Sequence, residues 1–247
     1  MPFSHSCYNR NNNMKILIKL SGESLSGSNK EGDRQFSEPT LGSIVLHIKM
    51  LQGDGHEVAL VVGGGNLFRG HELTGKLAIE RPTADYIGML ATVQNALILR
   101  DYFESKGVET RVSSAITMPQ ICEGYIPKRV ERHMKKGRVV IFAAGLGAPY
   151  FTTDSTSVQR ALEMKADMLI MAKNGVDGLY TADPDTDKSA VFIKETTASE
   201  VLERDLKAAD QSAIALAKEH GLLIKVIGVP DIARALDPEV GSLIRPI

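Results

Sequence analysis

The hydrophobic residues of this chain fall into two alternating kinds of segment. Short apolar runs rich in Val, Ile and Leu, followed by glycine or other turn residues, are typical of buried β-strands. They predict strands at 15–20, 58–62, 110–113, 139–144, 168–172 and 223–227. Longer stretches carry apolar residues three and four positions apart, as an amphipathic helix does. They predict helices at 39–51, 84–106, 127–136, 155–165, 200–220 and 231–236.

The alternation of strands and helices predicts the fold class. Strands joined through helices pair in parallel, and the helices then cover both faces of the sheet. We therefore expect an α/β protein, a three-layer α/β/α sandwich with a mostly parallel central sheet. Gly107 and Gly137 follow two of the predicted helices and are expected to end them.

One domain accounts for most of the chain. Residues 1–13 are polar and rich in asparagine, lack the apolar segment of a secretory signal, and are predicted to form a disordered tail. A single domain is predicted for 14–247, because neither a repeat nor a linker-like change of composition interrupts it. After Lys173 the sequence becomes rich in turn residues, so a functional division is expected near residue 172. No apolar run reaches the ~20 residues that a membrane-spanning helix needs.

Composition and charge narrow the classes of function. Of the 247 residues, 43% are hydrophobic and 24% are charged, which excludes a disordered, collagen-like or disulfide-scaffold protein. The 29 basic and 30 acidic residues leave a net charge of −1, which argues against nucleic-acid or membrane-surface binding by bulk charge. Of the two cysteines, Cys7 lies in the tail, so we expect no disulfide between Cys7 and Cys122. The cysteine content therefore favours a reducing compartment.

Three predicted strands end in turns rich in glycine. These turns are Ser21-Gly22, Gly63-Gly64-Gly65 and Gly145-Leu146-Gly147. Ligands of open α/β sheets bind at the carboxyl ends of the strands. Glycine at this edge lets backbone N–H groups approach a phosphate, and a following helix adds its positive N-terminal dipole. The three turns together predict a site for an anionic, phosphorylated ligand.

The common nucleotide-binding motifs do not match. Gly65 and Gly70 have the spacing of a P-loop, but His71 and Glu72 stand where Lys and Ser or Thr are required. Phe68 occupies a position where the dinucleotide-binding fingerprint needs glycine. The protein-kinase signatures are absent, and no His/Cys cluster has zinc spacing.

Polar residues beside the glycine turns are candidates for phosphate contacts. Lys19 can reach phosphates from the end of its strand, although a lysine at a strand end can also serve only solubility. Arg69 can clamp a phosphate bidentately or lie solvated in a loop. Thr152-Thr153-Asp154 opens a predicted helix, where helix capping is the ordinary role of such residues.

Five ordered segments together resemble one family. They are KLSGES (19–24), VVGGGNLFRG (61–70), GMLATVQNAL (88–97), GLGAPYFTTD (145–154) and VDGLYTADP (176–184). They are similar to motifs of the bacterial uridylate kinases, which belong to the amino-acid kinase superfamily and not to the P-loop nucleoside monophosphate kinases. The resemblance extends from about residue 14 to the C-terminus.

The resemblance implies transfer of the ATP γ-phosphoryl group to UMP, giving UDP and ADP, with Mg²⁺ as cofactor. It also implies a cytoplasmic homohexamer that acts in pyrimidine nucleotide biosynthesis. The part at about 14–172 would bind the acceptor, and the part at about 173–247 would bind ATP. The UMP phosphate has a second pKa of ~6 and is already largely deprotonated at neutral pH, so it needs no general base. Catalysis would then rest on alignment and charge neutralisation.

The resemblance also implies site residues at the matching positions. Lys19, Asp154 and Asp210 would be catalytic, with the aspartates ordering the lysine and a metal whose direct ligands stay unidentified. The implied ATP-binding residues are Lys19, Leu20, Ser21, Gly22, Gly65, Arg69, Asn174, Tyr180 and Asp183. The implied UMP-binding residues are Gly64, Asp85 at the ribose, Leu146, Gly147, Ala148, Pro149, Tyr150, Phe151, Thr152 and, nearest the reacting phosphate, Thr153.

Two departures from the family pattern bear on specificity and regulation. Leu146 and Ala148 stand where many relatives carry Thr and Asn, so the choice of UMP over CMP would depend on backbone and shape. Relatives are commonly inhibited by UTP and activated by GTP. The arginines that match a GTP site are Arg100, Arg111 and Arg138. Glu104 and Pro127 replace the His and Trp expected beside them, so competition by UTP is better supported than activation by GTP.

Two rival interpretations stay open at this point. Another enzyme of the superfamily, acting on acetylglutamate, aspartate, glutamate or carbamate, would share the sheet and the glycine turns. Asp85 and the 150–153 segment match the uridylate branch instead. A catalytically silent nucleotide-binding protein is the rival from another class, and the presence of Lys19, Asp154 and Asp210 argues against it.

Overall fold

One nine-stranded sheet runs through the described part of the chain, which in this computed structural model comprises residues 13–26, 36–68 and 78–247. The strands are β1 (Lys15–Leu20), β2 (Glu57–Val62), β3 (Thr110–Ser114), β4 (Glu123–Gly124), β5 (Val139–Ala143), β6 (Met168–Lys173), β7 (Leu179–Tyr180), β8 (Phe192–Ile193), β9 (Glu195–Thr197), β10 (Ile224–Gly228) and β11 (Ser242–Arg245). The sheet order is β4-β3-β5-β2-β1-β6-β10-β11-β9. The pairing of β10 with β11 is antiparallel and the other pairings are parallel, while β7 and β8 form a separate antiparallel pair.

Helices cover both faces of this sheet. They are α1 (Glu38–Gly53), α2 (Arg81–Ser105), α3 (Pro127–Met134), α4 (Thr153–Met164), α5 (Ala198–Glu203) and α6 (Gln211–Glu219), with 3₁₀ segments at Glu23–Leu25 and Val229–Arg234. Two apolar clusters lie on opposite faces, one with α1 and α2 and the other with α3, α4, α5 and α6. The mostly parallel α/β/α sandwich expected from the sequence is thereby confirmed.

The central strand β1 shows how the two faces are divided. Ile16, Ile18 and Leu20 belong to the cluster of α1 and α2, whereas Leu17 belongs to the cluster of α4 and α6. Because side chains alternate along a strand, Lys19 projects to the same face as Leu17. The lysine therefore points toward α4, which begins at the carboxyl edge of the sheet.

The long periodic elements agree with the sequence predictions. Each of the six predicted strands is present, with ends within one residue of those expected. The four predicted helices between residues 39 and 165 are present, with ends shifted by up to three residues. Gly107 and Gly137 adopt left-handed φ angles of 80° and 73° after α2 and α3, as expected of residues that end helices.

The single helix predicted at 200–220 is wrong, because the chain forms two helices, α5 and α6. Thr197 and Glu200 form a capping box that starts α5, and Asp205 takes a left-handed φ of 49° after it ends. Leu206 is buried in the connecting segment, and Asp210 is the extended N-cap residue of α6. The connecting segment contains apolar residues at helical spacing, so the sequence pattern did not reveal that the helix ends there.

Several short elements were not predicted. The strands β4, β7, β8, β9 and β11 have two to four residues each, which is too short for a periodic pattern. The helix predicted at 231–236 is instead the 3₁₀ segment Val229–Arg234, which has proline near its start. Of the short strands, β4, β9 and β11 extend the sheet at its two ends without altering its central order, and β7 and β8 form the separate pair.

Some predictions concern residues outside the described ranges. The predicted tail, including Cys7, falls there except for its last residue, so the structure does not test it. Cys122 is a half-buried free thiol, and burial raises its pKa. Across the described ranges, no helix combines the length and the apolar character needed to span a membrane.

The buried lysine of β10 gives a prediction about stability. Lys225 is 2% exposed, and its Nζ donates a hydrogen bond to the Asp237 carbonyl at 2.5 Å. Burial lowers the pKa of Lys225 to about 8, below the value of about 10.4 for an unfolded chain. The folded state therefore binds fewer protons between these values, so this group makes stability rise as pH rises from about 8 to about 10.

We expect Lys225→Met to remove this pH dependence. The free energy of unfolding of the wild type, relative to the variant, should rise by on the order of 2 kcal/mol between pH 8 and pH 10. Urea denaturation at both pH values measures this difference, and titrations common to both proteins cancel in it. An unchanged difference across this range would show that Lys225 keeps its ordinary pKa in the folded protein.

Candidate active site

Seven neighbouring parallel strands have their carboxyl ends at one edge of the sheet. Their order is β4, β3, β5, β2, β1, β6 and β10. The turns after β1, β2 and β5 are the three glycine turns identified in the sequence. Ligands of open α/β sheets bind at such an edge. Because β1 lies between β2 and β6, the residues at its end lie between those that follow β2 and β5 and those that follow β6 and β10.

The larger cleft lies over β2 and β5 and has a volume of about 660 Å³. This size suits a small-molecule ligand. Six residues predicted to contact UMP or ATP line it: Gly64, Gly65, Asp85, Phe151, Thr152 and Thr153. Ten further lining residues were not predicted: Glu23, Val61, Val62, Phe68, Ala84, Gly88, Met89, Thr92, Gly145 and Thr156. Most of the unpredicted residues are apolar or small, so no chemical signal marked them in the sequence.

Two glycines are required by close packing of the turns. A Cβ on Gly22 would lie 2.5 Å from the Gly65 backbone nitrogen, and one on Gly64 would lie 2.8 Å from the Gly88 carbonyl oxygen. Both distances are shorter than any van der Waals contact. The turns after β1 and β2 therefore pack directly against each other and against α2.

Lys19 and Asp154 form an ion pair at the middle of the edge. Lys19 Nζ lies 3.1 Å from Asp154 Oδ1, and the two side chains are 10% and 15% exposed. Asp154 lies in the first turn of α4, whose N-cap Thr152 accepts a hydrogen bond from the Ser155 backbone N–H. The helix N-terminus adds a positive partial charge beside the lysine. The structure thus brings together two of the three residues predicted to be catalytic.

Lys173 is a residue of this centre that the sequence analysis missed. It ends β6, the strand next to β1. Burial lowers the pKa of its ammonium group, and the positive charge of Lys19 lowers it further. The carboxylates of Asp154 and Asp210 act in the opposite direction and raise this pKa. The sequence did contain a signal, because Lys173 ends a buried apolar strand in the same way as Lys19 does.

Asp154 and Asp210 have carboxylate oxygens that fit a cation brought by a nucleotide. Asp154 Oδ1 and Asp210 Oδ2 are buried and have no hydrogen-bond partner in the described ranges. Lys19 Nζ lies 3.1 Å from Asp154 Oδ1 as an ion pair and not as a hydrogen-bond donor. The starts of α4 and α6 adjoin, with the Ser155 and Ser212 hydroxyl oxygens 3.2 Å apart. Among the described residues, no cluster of three or more His, Cys, Asp or Glu could hold a metal alone. Mg²⁺ commonly takes one or two carboxylates together with substrate phosphates, so these residues fit it.

A smaller cleft of about 460 Å³ lies on the other side of Lys19. Its lining residues are Lys173, Gly175, Val176, Asp177, Tyr180, Pro184, Asp185, Gly228, Pro230 and Asp231. The Tyr180 hydroxyl donates to Asp177 Oδ1 at 2.7 Å, and its ring packs edge-on against Phe192. Of the residues predicted for the adenosine end of ATP, Tyr180 lines this cleft, while Asn174 and Asp183 are sequence neighbours of lining residues.

Two residues predicted to bind ATP lie at the end of β1: Leu20 is the last residue of the strand and Ser21 is the first residue of the turn. The Leu20 side chain is buried in the core, so it can meet a nucleotide only through its backbone. The Ser21 hydroxyl is 2.6 Å from the Ser24 hydroxyl. Arg69, the third phosphate candidate from the sequence, lies outside the described residues.

Asp85 is held at the rim of the larger cleft by two donors. Arg81 Nε donates to both of its carboxylate oxygens, at 2.9 and 3.0 Å, and the Tyr150 backbone N–H donates to Oδ2 at 2.8 Å. A carboxylate has about four acceptor sites, so oxygen lone pairs are left for a ligand hydroxyl. Arg81 was not predicted as a contributor to the site.

With UMP as the acceptor that the family resemblance implies, we expect Asp85→Ala to raise KM for UMP by roughly 10- to 100-fold, because hydrogen bonds to a charged group are worth about 1.5–3 kcal/mol. The loss should be smaller with dUMP, which lacks one ribose hydroxyl. Initial rates with both substrates test this, with Gln94→Ala, an exposed position on the same helix, as the control. An equal loss for both nucleotides would place Asp85 away from the 2′-hydroxyl.

The predicted base-binding segment is only partly at the cleft. The segment predicted for uracil and the UMP phosphate is 146–153, and its last three residues line the larger cleft, whereas Leu146, Gly147, Ala148, Pro149 and Tyr150 do not. Gly147 packs against Ala115, and Tyr150 is 66% exposed with its ring centroid 5.6 Å from the Arg81 guanidinium carbon. Their contacts with a base stay predictions.

The three arginines predicted for GTP lie apart from both clefts and are paired with acids. Arg100 and Arg111 line a third cavity of about 320 Å³. Arg111 pairs with Glu104 and Glu109 at 2.9 Å each, and Arg138 pairs with Glu109 at 2.7 Å. The hydrogen bond from Arg138 holds the pKa of Glu109 below its usual value. Acidic residues thus neutralise much of the charge that a triphosphate would require.

Comparison with known proteins agrees with this geometry. The model of the amino acid kinase family matches residues 14–228. The uridylate kinase of Tropheryma whipplei (strain Twist) is 50% identical over 222 residues, covering 90% of this chain and 94% of the relative. The uridylate kinase of Arthrobacter sp. (strain FB24) is 45% identical over 247 residues, covering 98% of each chain.

The solved structures give the same result. The crystal structure of UMP kinase from Bacillus anthracis superposes with a TM-score of 0.88 at 38% identity, covering 94% of this chain and 96% of that one. UMP kinase from Ureaplasma parvum superposes with a TM-score of 0.85 at 30% identity, covering 95% and 99%. With the matching family model and these relatives, the chain belongs to the amino acid kinase family.

Proposed function

We propose that this protein is a UMP kinase, which transfers the γ-phosphoryl group of ATP to UMP. The observation that carries the proposal is the position of the Lys19–Asp154 pair, between two clefts at the carboxyl edge of the sheet. The larger cleft takes UMP, with its ribose at Asp85. The smaller cleft takes the adenosine end of ATP, beside Tyr180. The 44–50% identity to curated uridylate kinases supports this choice of acceptor.

Phosphoryl transfer in this site depends on position and charge. An oxygen of the UMP phosphate attacks the γ-phosphorus, and the bond from that phosphorus to the β-phosphate oxygen breaks, leaving ADP. Lys19 and Lys173 lie where the transferred group passes between the clefts and neutralise its charge. Thr153 and the N-terminus of α4 orient the UMP phosphate. The attacking oxygen is already ionised at neutral pH, so no residue is needed as a base.

Asp154 and Asp210 have two roles in this proposal. They balance the charges of the two lysines, and they would hold Mg²⁺ together with the ATP phosphates. When bound, Mg²⁺ supplies charge neutralisation and a template for the phosphates. The proposed ATP contacts are the Leu20 backbone at the end of β1, Ser21, Gly22 and Gly65 in the turns after β1 and β2, and Arg69, which lies outside the described residues.

The chain divides between the two substrates at about residue 172. The lining residues of the larger cleft lie between positions 23 and 156, and those of the smaller cleft lie between 173 and 231, which supports this division. We place the protein in the cytoplasm and in pyrimidine nucleotide biosynthesis, on the strength of its family. Exposed apolar side chains on α1 and α2, among them Leu46, Leu90 and Ile98, support an interface between subunits, and the proposed number of six subunits rests on the family.

Regulation by UTP and regulation by GTP would involve different parts of the protein. UTP resembles the acceptor and would compete with UMP in the larger cleft. GTP activation through Arg100, Arg111 and Arg138 is less favoured, because Glu104 and Glu109 already pair with two of these arginines. Base choice rests on backbone and shape, since Leu146 and Ala148 offer uracil no side-chain hydrogen bond.

Release of ADP from Mg-ATP tests the function, with UMP, CMP, dUMP, acetylglutamate and carbamate offered in parallel. We expect turnover with UMP well above that with the other acceptors. Equal use of UMP and CMP would make the protein a broader pyrimidine monophosphate kinase. Turnover only with a carboxylate or carbamate would refute UMP as the acceptor, and bound ATP without turnover would indicate a silent nucleotide-binding protein.

A further inference from the structure

A buried asparagine of α2, Asn95, is hydrogen-bonded to a second buried asparagine, Asn66, and the proposed chemistry uses neither. Asn95 is fully buried, and Asn66, in the turn after β2, is 4% exposed. Asn95 Nδ2 donates to Asn66 Oδ1 at 2.7 Å, and Asn66 Nδ2 donates back to Asn95 Oδ1 at 3.2 Å. The two side-chain amides thus form a closed, reciprocal pair between the helix and the turn.

The same amide of Asn95 also holds the backbone of the glycine turn. Its second N–H donates to the Gly63 carbonyl oxygen at 2.7 Å. Gly63 in turn donates its N–H to the Leu20 carbonyl of β1 at 2.9 Å. Asn95 therefore makes three hydrogen bonds in a fully buried place, where each is costly to lose.

Asn66 links the turn after β2 to the turn after β1. A Cβ on Gly22 would lie 2.6 Å from Asn66 Oδ1 and 2.8 Å from the Asn66 backbone nitrogen. The absence of a side chain at Gly22 thus lets the two turns touch. A shift of Asn66 would move both of the turns that flank Lys19.

One turn earlier on the same face of α2, Thr92 holds the third glycine turn. Its hydroxyl donates to the Met89 carbonyl at 2.7 Å and accepts from the Ala144 N–H at 2.8 Å. Ala144 has a left-handed φ of 60°, an unfavourable conformation for a residue with a side chain. The contact from Thr92 helps to hold this strained start of the turn after β5.

We propose that Asn95 and Asn66 are positioning residues, which with Thr92 make α2 the element that sets the spacing of the three turns around the transferred phosphoryl group. Phosphoryl transfer depends on alignment, and a misplacement of about 1 Å can cost on the order of 10² in rate. This inference rests on the proposed transfer to UMP. It assigns no contact with either nucleotide to the asparagines.

The test compares Asn95→Ala, Asn66→Ala and the double variant. We expect each single variant to lower kcat by roughly 10- to 100-fold with KM for ATP within about twofold of the wild type. Because the pair acts as a unit, the double variant should lose little more than Asn95→Ala. Rates are taken well below each thermal midpoint and divided by the folded fraction.

Thr196→Val is the matched control. Thr196 is also buried, its hydroxyl donates to Glu200, and it lies on β9 at the far end of the sheet order. It should lower the thermal midpoint yet leave kcat within about twofold of the wild type. If Asn95→Ala does not fold, the comparison is made with Asn66→Ala, because Asn66 lies in a turn and not in a helix.

Two results separate this inference from the proposed function. A wild type without UMP turnover contradicts the function itself. An active wild type beside Asn95→Ala and Asn66→Ala variants with unchanged kcat overturns the positioning role alone. A loss of kcat in Thr196→Val as large as in Asn95→Ala would also overturn it, since stability would then explain both.

Discussion

Replacing Lys19 with alanine is expected to lower kcat for UMP phosphorylation by about 10²- to 10³-fold. Loss of one group that stabilises transition-state charge in a closed site commonly has an effect of this size. Lys19 is the charged residue at the end of the central strand, with Asp154 at 3.1 Å and a cleft on either side. In the proposed reaction, its charge would therefore lie where the phosphoryl group passes between donor and acceptor.

Lys15→Ala is the matched control for this prediction. Lys15 lies on the same strand at the opposite edge of the sheet, and its Nζ donates to the Met164 carbonyl at 3.1 Å. Its loss should leave kcat within about twofold of the wild type. Steady-state rates with saturating ATP and UMP measure both variants. Activity of Lys19→Ala close to that of the wild type would remove Lys19 from the catalytic centre.

Asp154→Asn is expected to lower kcat on the order of 10²-fold. The substitution keeps the shape of the side chain but removes the negative charge that faces Lys19 and Lys173. Only Asp210 is then left to offset the repulsion between the two lysines. This repulsion would displace their ammonium groups from the transferred phosphoryl group.

The pH profile of Asp154→Asn separates charge from shape. Burial already lowers the pKa of Lys173, and Asp154 opposes that shift. A lysine carries charge only below its pKa, so loss of Asp154 should move the alkaline limb of the kcat profile to lower pH. Asp167→Asn, at the opposite edge of the sheet where Asp167 accepts from the Lys15 N–H, is the control. An alkaline limb unchanged in Asp154→Asn would contradict this electrostatic role.

The spacing of hydrophobic residues predicted the helices that bury one face and the strands that are buried on both faces. β1 was predicted to the residue, because KILIKL is continuous in a strand buried on both faces. Lys19 was a candidate because it lies near the end of this strand, beside a glycine turn, although its position alone also fitted a lysine that serves only solubility. The family resemblance then supplied roles for Asp85 and Asp154, and the structure places both at the clefts or between them.

Other features depended on contacts between distant segments, which periodicity does not report. The position of Lys173 at the end of an apolar strand was visible in the sequence, but its closeness to Lys19 and Asp154, which lie far from it in sequence, was not. The pairing of Asn66 with Asn95 spans 29 positions, and buried amides carry no period of their own. The break between α5 and α6 was hidden because the connecting segment is itself partly buried.

A crystal structure with UMP and a non-hydrolysable ATP analogue would test the central claim most directly, namely that phosphoryl transfer takes place over Lys19 between the two clefts. The account predicts UMP in the larger cleft, with its ribose at Asp85 and its phosphate directed to Lys19. The analogue should occupy the smaller cleft beside Tyr180, with its γ-phosphate between Lys19 and Lys173. Nucleotides bound in the reverse arrangement, or phosphates away from Lys19, would contradict it.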